Sequence, residues 1–346
     1  MIKNTIYNKT FFGAANGFDG FRSGFGDIFS PRKMNKIFII KGGPGTGKST
    51  LMKRIRKNYE NIADITTILC SSDPDSLDGI IIEKSGVKVA VVDGTSPHVV
   101  EPEFPGAVEE IVNLGDGFVF NKLRAKSKEI MTYSEEKKSA YKSAYKCLEA
   151  AGNIFKHIRY SFIKSDLYKK AESNIDISFN QNNESDFHAE KSEYLLSAFC
   201  KKGYVSINDI DTNKEVIKIS GDGVSELIYM SLLLTRLTNE KISYMYFPSA
   251  FSNEIPDLIE TESIIYKIDK TNGSNIDTAE KIDYGKEYSS LKNAFLMLIE
   301  TAKGYLEEAS EFHFKMEDIY SDSIVFDMNE DKYYHIIREI DALFDK

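Results

Sequence analysis

Eight residues constrain this chain more than any others: Gly42-Gly43-Pro44-Gly45-Thr46-Gly47-Lys48-Ser49, which satisfy G-x-x-x-x-G-K-[ST]. The match is informative because of what flanks it. Before it stands Lys36-Ile37-Phe38-Ile39-Ile40, an apolar, β-branched run that predicts a buried parallel strand. After it, Leu51, Ile55 and Tyr59 recur at four-residue spacing, with Lys53, Arg54, Arg56 and Lys57 between them, which predicts an amphipathic helix. Strand, glycine-rich bend and helix thus follow in the order a phosphate cradle needs. Glycine lets the backbone wrap so that amide N–H groups converge on an anion. A helix N-terminus adds unpaired amides and the positive end of its dipole. Gly43, Pro44, Gly45, Thr46, Gly47, Lys48, Ser49 and Thr50 are therefore the expected contacts of a nucleoside triphosphate. Lys48 would bring a full charge to the β- and γ-phosphates, and Ser49 a hydroxyl to Mg²⁺.

A triphosphate site of this kind draws a second metal ligand from another buried strand. Val87-Lys88-Val89-Ala90-Val91-Val92-Asp93 fits, with Asp93 at the carboxyl end, where ligands gather in open α/β sheets. Ser49 and Asp93 are the expected metal pair, and Lys48 and Asp93 the expected catalytic core. No Glu follows Asp93; the chain reads Gly94-Thr95-Ser96-Pro97-His98. His98, Glu101 and Glu103 are candidates to position water by proximity alone, and each also reads as an ordinary loop residue. A further strand, Ile65-Thr66-Thr67-Ile68-Leu69-Cys70, leads into Ser71-Ser72-Asp73-Pro74-Asp75-Ser76-Leu77-Asp78-Gly79. Asp73 and Asp75 are candidates for a base or substrate ligand there. The competing reading is turn and helix-cap chemistry, which Asp-Pro and Asp-Gly also serve.

The pattern then recurs. Glu215-Val216-Ile217-Lys218-Ile219-Ser220-Gly221 mirrors Lys36 to Gly42, and Asp222-Gly223-Val224-Ser225-Glu226 stands where the phosphate loop should be, about three residues short and without a lysine. A helical stretch Leu227 to Leu237 follows, then the strand Ile242 to Phe247. Ser249 to Glu254 parallels Ser71 to Ser76, and Ile264 to Thr271 parallels Lys88 to Thr95. Gly42 to Asp93 is 51 positions and Gly221 to Asp269 is 48, a difference equal to the shortening of the loop. Lys142-Ser143-Ala144-Tyr145 and Lys292-Asn293-Ala294-Phe295 match at an offset of 150, and each is expected to begin a long helical region. The expectation is a duplicated α/β fold, each repeat a P-loop NTPase-type parallel sheet with helices on both faces and a helical extension. The expected domains are 1–180 and 187–346, the second a degenerate copy that does not hold a triphosphate, because Asp222 and Glu226 would set negative charge against phosphate.

Between the repeats, Asn121 to Glu172 carries Tyr141, Tyr145, Leu148, Ile154, Phe155, Ile158 and Phe162 at helical spacing, which predicts a long helical hairpin with an aromatic packing stripe. Arg124 and Arg159 are candidate phosphate-sensing arginines, or exposed helix arginines. Asn180-Gln181-Asn182-Asn183-Glu184-Ser185-Asp186 reads as a linker. The charge changes sign there: residues 1–180 hold 27 Lys+Arg against 21 Asp+Glu, a net of +6, and residues 181–346 hold 17 against 32, a net of −15. The basic half suits a polyanionic ligand, whereas the acidic half argues against a nucleic-acid surface. The three cysteines lie too far apart for a zinc pattern or a disulfide framework, no apolar run spans a bilayer, and MIKNTIYNKTFFGAAN lacks an apolar stretch after its lysine. These point to a cytoplasmic protein without a membrane partner.

Gly42 to Ser49, Cys70 to Gly79, Asp93 to His98 and Pro105-Gly106-Ala107-Val108-Glu109-Glu110-Ile111-Val112-Asn113-Leu114-Gly115 together resemble a bacterial family of tandem P-loop ATPases. The resemblance runs over essentially the whole chain and is more specific in the first repeat. It implies ATP binding and names no substrate. In that family the second repeat can also carry a P-loop lysine, which this sequence lacks. The leading expectation is Mg²⁺-dependent ATP hydrolysis coupled to a partner, to self-association or to a conformational change. Phosphotransfer to a small molecule or nucleotide, with Asp73 or Asp75 as base, is the alternative enzyme. A nucleotide-gated binding module without turnover is the third reading.

Overall fold

The computed structural model describes residues 7–168, 189–207, 213–238, 242–269 and 276–345. The expected linker Asn180–Asp186 and the matched residues Lys270 and Thr271 lie outside them. Two compact units share the chain, and each draws on separated stretches. One comprises Met1–Ala14, Ser23–Lys142 and Tyr305–Lys346; the other comprises Ala15–Arg22 and Ser143–Gly304.

The first unit is built on a six-stranded sheet. Its strands are β1 (Asn8–Phe12), β2 (Lys36–Lys41), β3 (Asp64–Leu69), β4 (Leu77–Lys84), β5 (Val87–Asp93) and β6 (Glu109–Asn113), in the spatial order β1-β3-β4-β5-β2-β6. Ile37, Phe38, Ile39 and Ile40 are all fully buried, because β2 lies between β5 and β6 and is covered on both faces. The helix α1 (Lys48–Tyr59) sets Leu51, Met52, Ile55 and Tyr59 on one sheet face. Ile336 and Ile340 of the last helix in the chain, Glu330–Phe344, join the same cluster with Phe38 and Ile40. Each such fully buried isoleucine contributes about 1.5–3 kcal/mol. Arg54 grips Glu330 through both carboxylate oxygens at 2.5 and 2.9 Å, and the Tyr59 hydroxyl donates to Asp341 at 2.8 Å, which fixes where that helix lies.

The second unit carries a second six-stranded sheet: β7 (Ala189–Lys191), β8 (Glu215–Ser220), β9 (Tyr244–Pro248), β10 (Pro256–Thr261), β11 (Ile264–Ile268) and β12 (Ile276–Asp277). Its order is β12-β8-β11-β10-β9-β7. Read from the same edge, the two sheets share one sequence of pairings: parallel, parallel, antiparallel, antiparallel, parallel. The helix after β8 is α3 (Ser225–Thr238). The fold is α/β and duplicated.

Two expectations change. The sheet is mixed, not parallel, because β4 runs against both neighbours. Ser85 and Gly86, with φ of 53° and 84°, close a two-residue turn from β4 to β5, far too short for a parallel crossover. Leu77, Asp78 and Gly79 are thus strand residues and not the tail of a loop. The expected hairpin over 121–172 is instead a short helix, Phe120–Ala125, followed by one unbroken helix of 37 residues, α2 (Ser127–Ile163). Gly152 lies inside this helix, where a Cβ would fall 2.6 Å from Cβ of Phe18, an approach that glycine alone permits. Lys142 is well inside this helix and does not begin it. A second long helix, α4 (Tyr288–Ser321), provides its partner in each unit. In the first unit Tyr133 faces Phe312, and in the second Phe155 faces Phe295. Among the described residues, no helix is long and apolar enough to cross a membrane.

Candidate functional site

The bend Gly42–Gly47 joins the carboxyl end of β2 to the N-terminus of α1, as its sequence demands. Gly45 and Gly47 take φ of 69° and 86°, left-handed values that turn the amides inward and that glycine adopts without strain. Thr46 is buried and its hydroxyl donates to the Gly43 carbonyl at 2.9 Å, bracing the bend from within. Lys48 folds back over the loop. Its ammonium donates to the Gly43 carbonyl at 2.9 Å and lies 3.6 Å from Oδ2 of Asp93. The hydroxyl oxygen of Ser49 accepts from the Leu77 amide at 2.9 Å, which ties α1 to the start of β4 and uses one of that oxygen's two lone pairs.

Asp93 is buried at the end of β5. Its Oδ1 accepts from both the amide and the hydroxyl of Thr95, at 2.9 and 2.6 Å, leaving Oδ2 turned to Lys48. The fold brings Lys48 and Asp93 to one place from 45 positions apart. Beside them lies a group that pattern reading missed. Nε2 of His98 sits 3.1 Å from Oδ2 of Asp78, and its ring stacks on Phe25 at 4.0 Å. Burial opposes the imidazolium, yet the Asp78 contact and the charge of Asp93 outweigh it, so the His98 pKa rises above the ordinary value. Burial and then Asp78 push the Cys70 thiol well above its usual range, which makes it a poor nucleophile. Asp78 escaped notice because Asp-Gly reads as a turn; the β-branched run Ile80-Ile81-Ile82 was the signal for a strand.

The other candidates are held elsewhere. Asp73 accepts from the Ser76 hydroxyl and from it closes the turn before β4, and Asp75 is exposed, with its carbonyl bonded by Lys53. Glu101 pairs with Lys41 and Glu103 with Arg32. Arg124 is exposed on the short helix Phe120–Ala125. Arg159 belongs to the second unit and donates to the hydroxyls of Ser231 and Thr235 at 3.0 and 3.1 Å, so it serves that unit's packing.

The last stretch of α4 packs directly on the bend. A Cβ on Gly43 would fall 2.8 Å from the Tyr320 ring, and one on Gly45 would fall 2.6 Å from the Glu317 carbonyl oxygen. The Ser321 hydroxyl donates to the Gly45 carbonyl at 3.1 Å. Phe326, half exposed, closes on Gly47. Nothing in the local sequence around the loop announces these residues, which come from 276 positions downstream in the case of Ser321 and Gly45.

The corresponding bend of the second repeat has the same left-handed glycine, Gly223 at φ 96°, and the same serine one turn into the motif, Ser225. Val224 stands where Lys48 would be. Oδ1 of Asp222 accepts from the amides of Val224 and Ser225 at 3.3 and 3.1 Å, and Oε2 of Glu226 from the amide of Gly223 at 3.0 Å. Lys292 and the Tyr288 hydroxyl each lie 2.8 Å from the Asp222 carboxylate. Burial resists the charge on Asp222, but these partners more than offset it and its pKa falls below the ordinary value. The second bend is therefore an anion nest filled by its own carboxylates. Asp269, the counterpart of Asp93, pairs with Lys218 of β8 at 3.1 Å.

No family model, curated protein or solved structure matches this chain. Among the described residues, no three His, Cys, Asp or Glu side chains converge as a metal cluster. A magnesium site built on one hydroxyl, one carboxylate and phosphate oxygens would not form such a cluster.

Proposed function

We propose that this chain is an Mg²⁺-dependent ATPase acting at the bend Gly42–Ser49. The observation that carries the reading is the approach of Lys48 to Asp93, 3.6 Å apart, at the mouth of a bend with two left-handed glycines and a helix N-terminus behind it. One full positive charge, inward amides and the dipole end of α1 together neutralise a triphosphate. Lys48 is held by loop carbonyls in the absence of phosphate and exchanges them for the β- and γ-oxygens when the nucleotide enters. Thr95 fixes the Asp93 carboxylate so that Oδ2 stays directed at the site.

The donor set fits Mg²⁺: Ser49 keeps a lone pair and Asp93 presents one carboxylate oxygen. These two residues would hold the ion, which supplies charge neutralisation at the transferring phosphoryl group. Asp78 and Asp93 favour the charged form of His98, so less of it stands neutral and free to take a proton from water. Its role is to hold the 94–98 loop against Phe25, and catalysis rests on positioning and charge. The Asp73 carboxylate is engaged by Ser76 in the turn before β4, which favours hydrolysis over transfer to an acceptor held by that residue.

The test is phosphate release from MgATP alongside nucleotide stoichiometry. Release without any added acceptor, with one nucleotide per chain, is the expected result. ADP formation that depends on an acceptor would identify a kinase, tight binding without turnover a nucleotide-gated module, and two nucleotides per chain would overturn the reading of the second bend.

A further inference from the structure

A nucleoside triphosphate has two unlike ends, and the two sides of β2 suit them differently. β5 pairs with β2 on one side and β6 on the other, both parallel to it. Ser49 and Asp93 would hold magnesium at the end of β5, and that ion spans the β- and γ-oxygens. The γ-end of the triphosphate therefore lies toward β5, and the nucleoside end is carried toward β6. At the carboxyl end of β6 the chain makes the 3-10 turn Leu114–Gly117. The segment that follows α4 is fastened to it: the Val119 amide donates to the Ser323 carbonyl at 2.8 Å, and the Val325 amide to the Gly117 carbonyl at 2.9 Å. The Lys332 ammonium lies 2.8 Å from Oδ2 of Asp116. These contacts set the turn Phe326–Asn329 beside the bend. Two ring carbons of Phe326 lie 3.7 and 3.9 Å from where a Cβ on Gly47 would stand, yet 47% of the residue's surface is exposed.

We propose that Phe326 is the platform on which the base of the bound nucleotide stacks. The inference rests on the nucleotide reading and adds where the nucleoside lies. An exposed aromatic ring offers a base a flat π-face, and stacking of that kind needs no hydrogen-bond partner. The competing role for Phe326 is to dock the last helix, Glu330–Phe344, but that helix is anchored without it. Arg54 grips Glu330 through both carboxylate oxygens, and Ile336 and Ile340 are fully buried in the core of the first sheet. Tyr320, the other ring on the bend, lies against Gly43 and packs on Phe118 at 5.6 Å, so it belongs to the wall of the bend. The second repeat differs at this position as well. Its left-handed glycine, Gly223, has Leu296 as its neighbour, a side chain with no π-face.

The experiment titrates MgATP and magnesium tripolyphosphate into the wild-type chain and into Phe326→Ala, Phe326→Leu and Phe326→Trp by calorimetry, with melting curves to show that each variant is folded. Phe326→Ala is expected to weaken ATP by about tenfold and to leave tripolyphosphate unchanged. Phe326→Leu keeps apolar bulk without a ring and should follow the alanine variant, whereas Phe326→Trp should bind ATP at least as tightly as the wild type. The chain contains no tryptophan, so the indole of Phe326→Trp reports on this place alone. Its fluorescence should be quenched by MgATP and not by tripolyphosphate. Equal ATP affinity in the wild type and Phe326→Ala, or an indole unquenched at saturating ATP, would overturn the platform and leave the nucleotide reading standing. Equal loss of both ligands in a folded Phe326→Ala would make the ring a support of the bend and also overturn it. Binding of neither ligand to the wild type would sink both.

Discussion

In the first repeat, β2 ends in a bend whose lysine reaches Asp93; in the second, β8 ends in a bend whose amides are taken by Asp222 and Glu226. The strand order and every pairing sense are the same in the two sheets. So is the left-handed glycine before the helix. The two regions differ in the sign of what fills the bend. A sheet is specified by many apolar positions, each tolerant of exchange, and survives divergence. An anion site hangs on a few polar residues. Replacing the lysine by Val224 and adding two acids converts a cradle for a foreign anion into a self-satisfied turn. Even the aspartate at the end of the neighbouring strand has changed partner: Lys48 comes to Asp93 from the loop, whereas Lys218 comes to Asp269 from the strand.

This contrast can be broken most decisively at Lys48. Lys48→Ala should weaken MgATP binding by about a hundredfold or more, equal to about 2.7 kcal/mol, while the chain stays folded. Equal affinity in calorimetry would mean that the two bends do not differ in the way described. The mirror change, Lys292→Ala, should leave ATP binding intact and cost the second unit about 1–3 kcal/mol, because it strips a mostly buried carboxylate of its charge partner. Its signature is a pH profile. The Asp222 pKa is depressed on folding, so its contribution is present above the unfolded value and is lost as pH falls through the lower folded value. The wild type should therefore lose stability in acid below about pH 4 more steeply than Lys292→Ala, as denaturant midpoints would show. The smallest effect is expected for Thr95→Val, which removes one of the two bonds aligning Asp93. A few-fold fall in phosphate release with little change in ATP affinity is the expected outcome, and a full loss of binding would move Asp93 from metal ligand to structural brace.

The parts of this molecule that could be read from sequence are those whose physics is local. Lys36 to Tyr59 announces strand, bend and helix because periodicity and glycine spacing are contiguous there. The duplication was legible through spacing, since a loop shortened by three residues shifts everything after it by the same amount. β4 was hidden because Asp-Pro and Asp-Gly carry turn chemistry that outweighed the triple isoleucine beyond them. The helical residues on the bend were hidden for a different reason. The apolar rhythm of Tyr288–Ser321 says that one face is buried, but not what buries it, and no local rule links Glu317 to Gly45. Gly43 and Gly45 read as nest residues; the structure adds that their missing Cβ atoms are also what lets α4 approach.

The interleaving of the two units sets an order for synthesis. A chain growing from its amino end has emitted every piece of the second unit once Gly304 has emerged, whereas the first unit still awaits Tyr305–Lys346. Ile336 and Ile340 reach their sheet only after every piece of the second unit has emerged, so of the two units the one encoded first is the one completed later, and part of its apolar core waits for them.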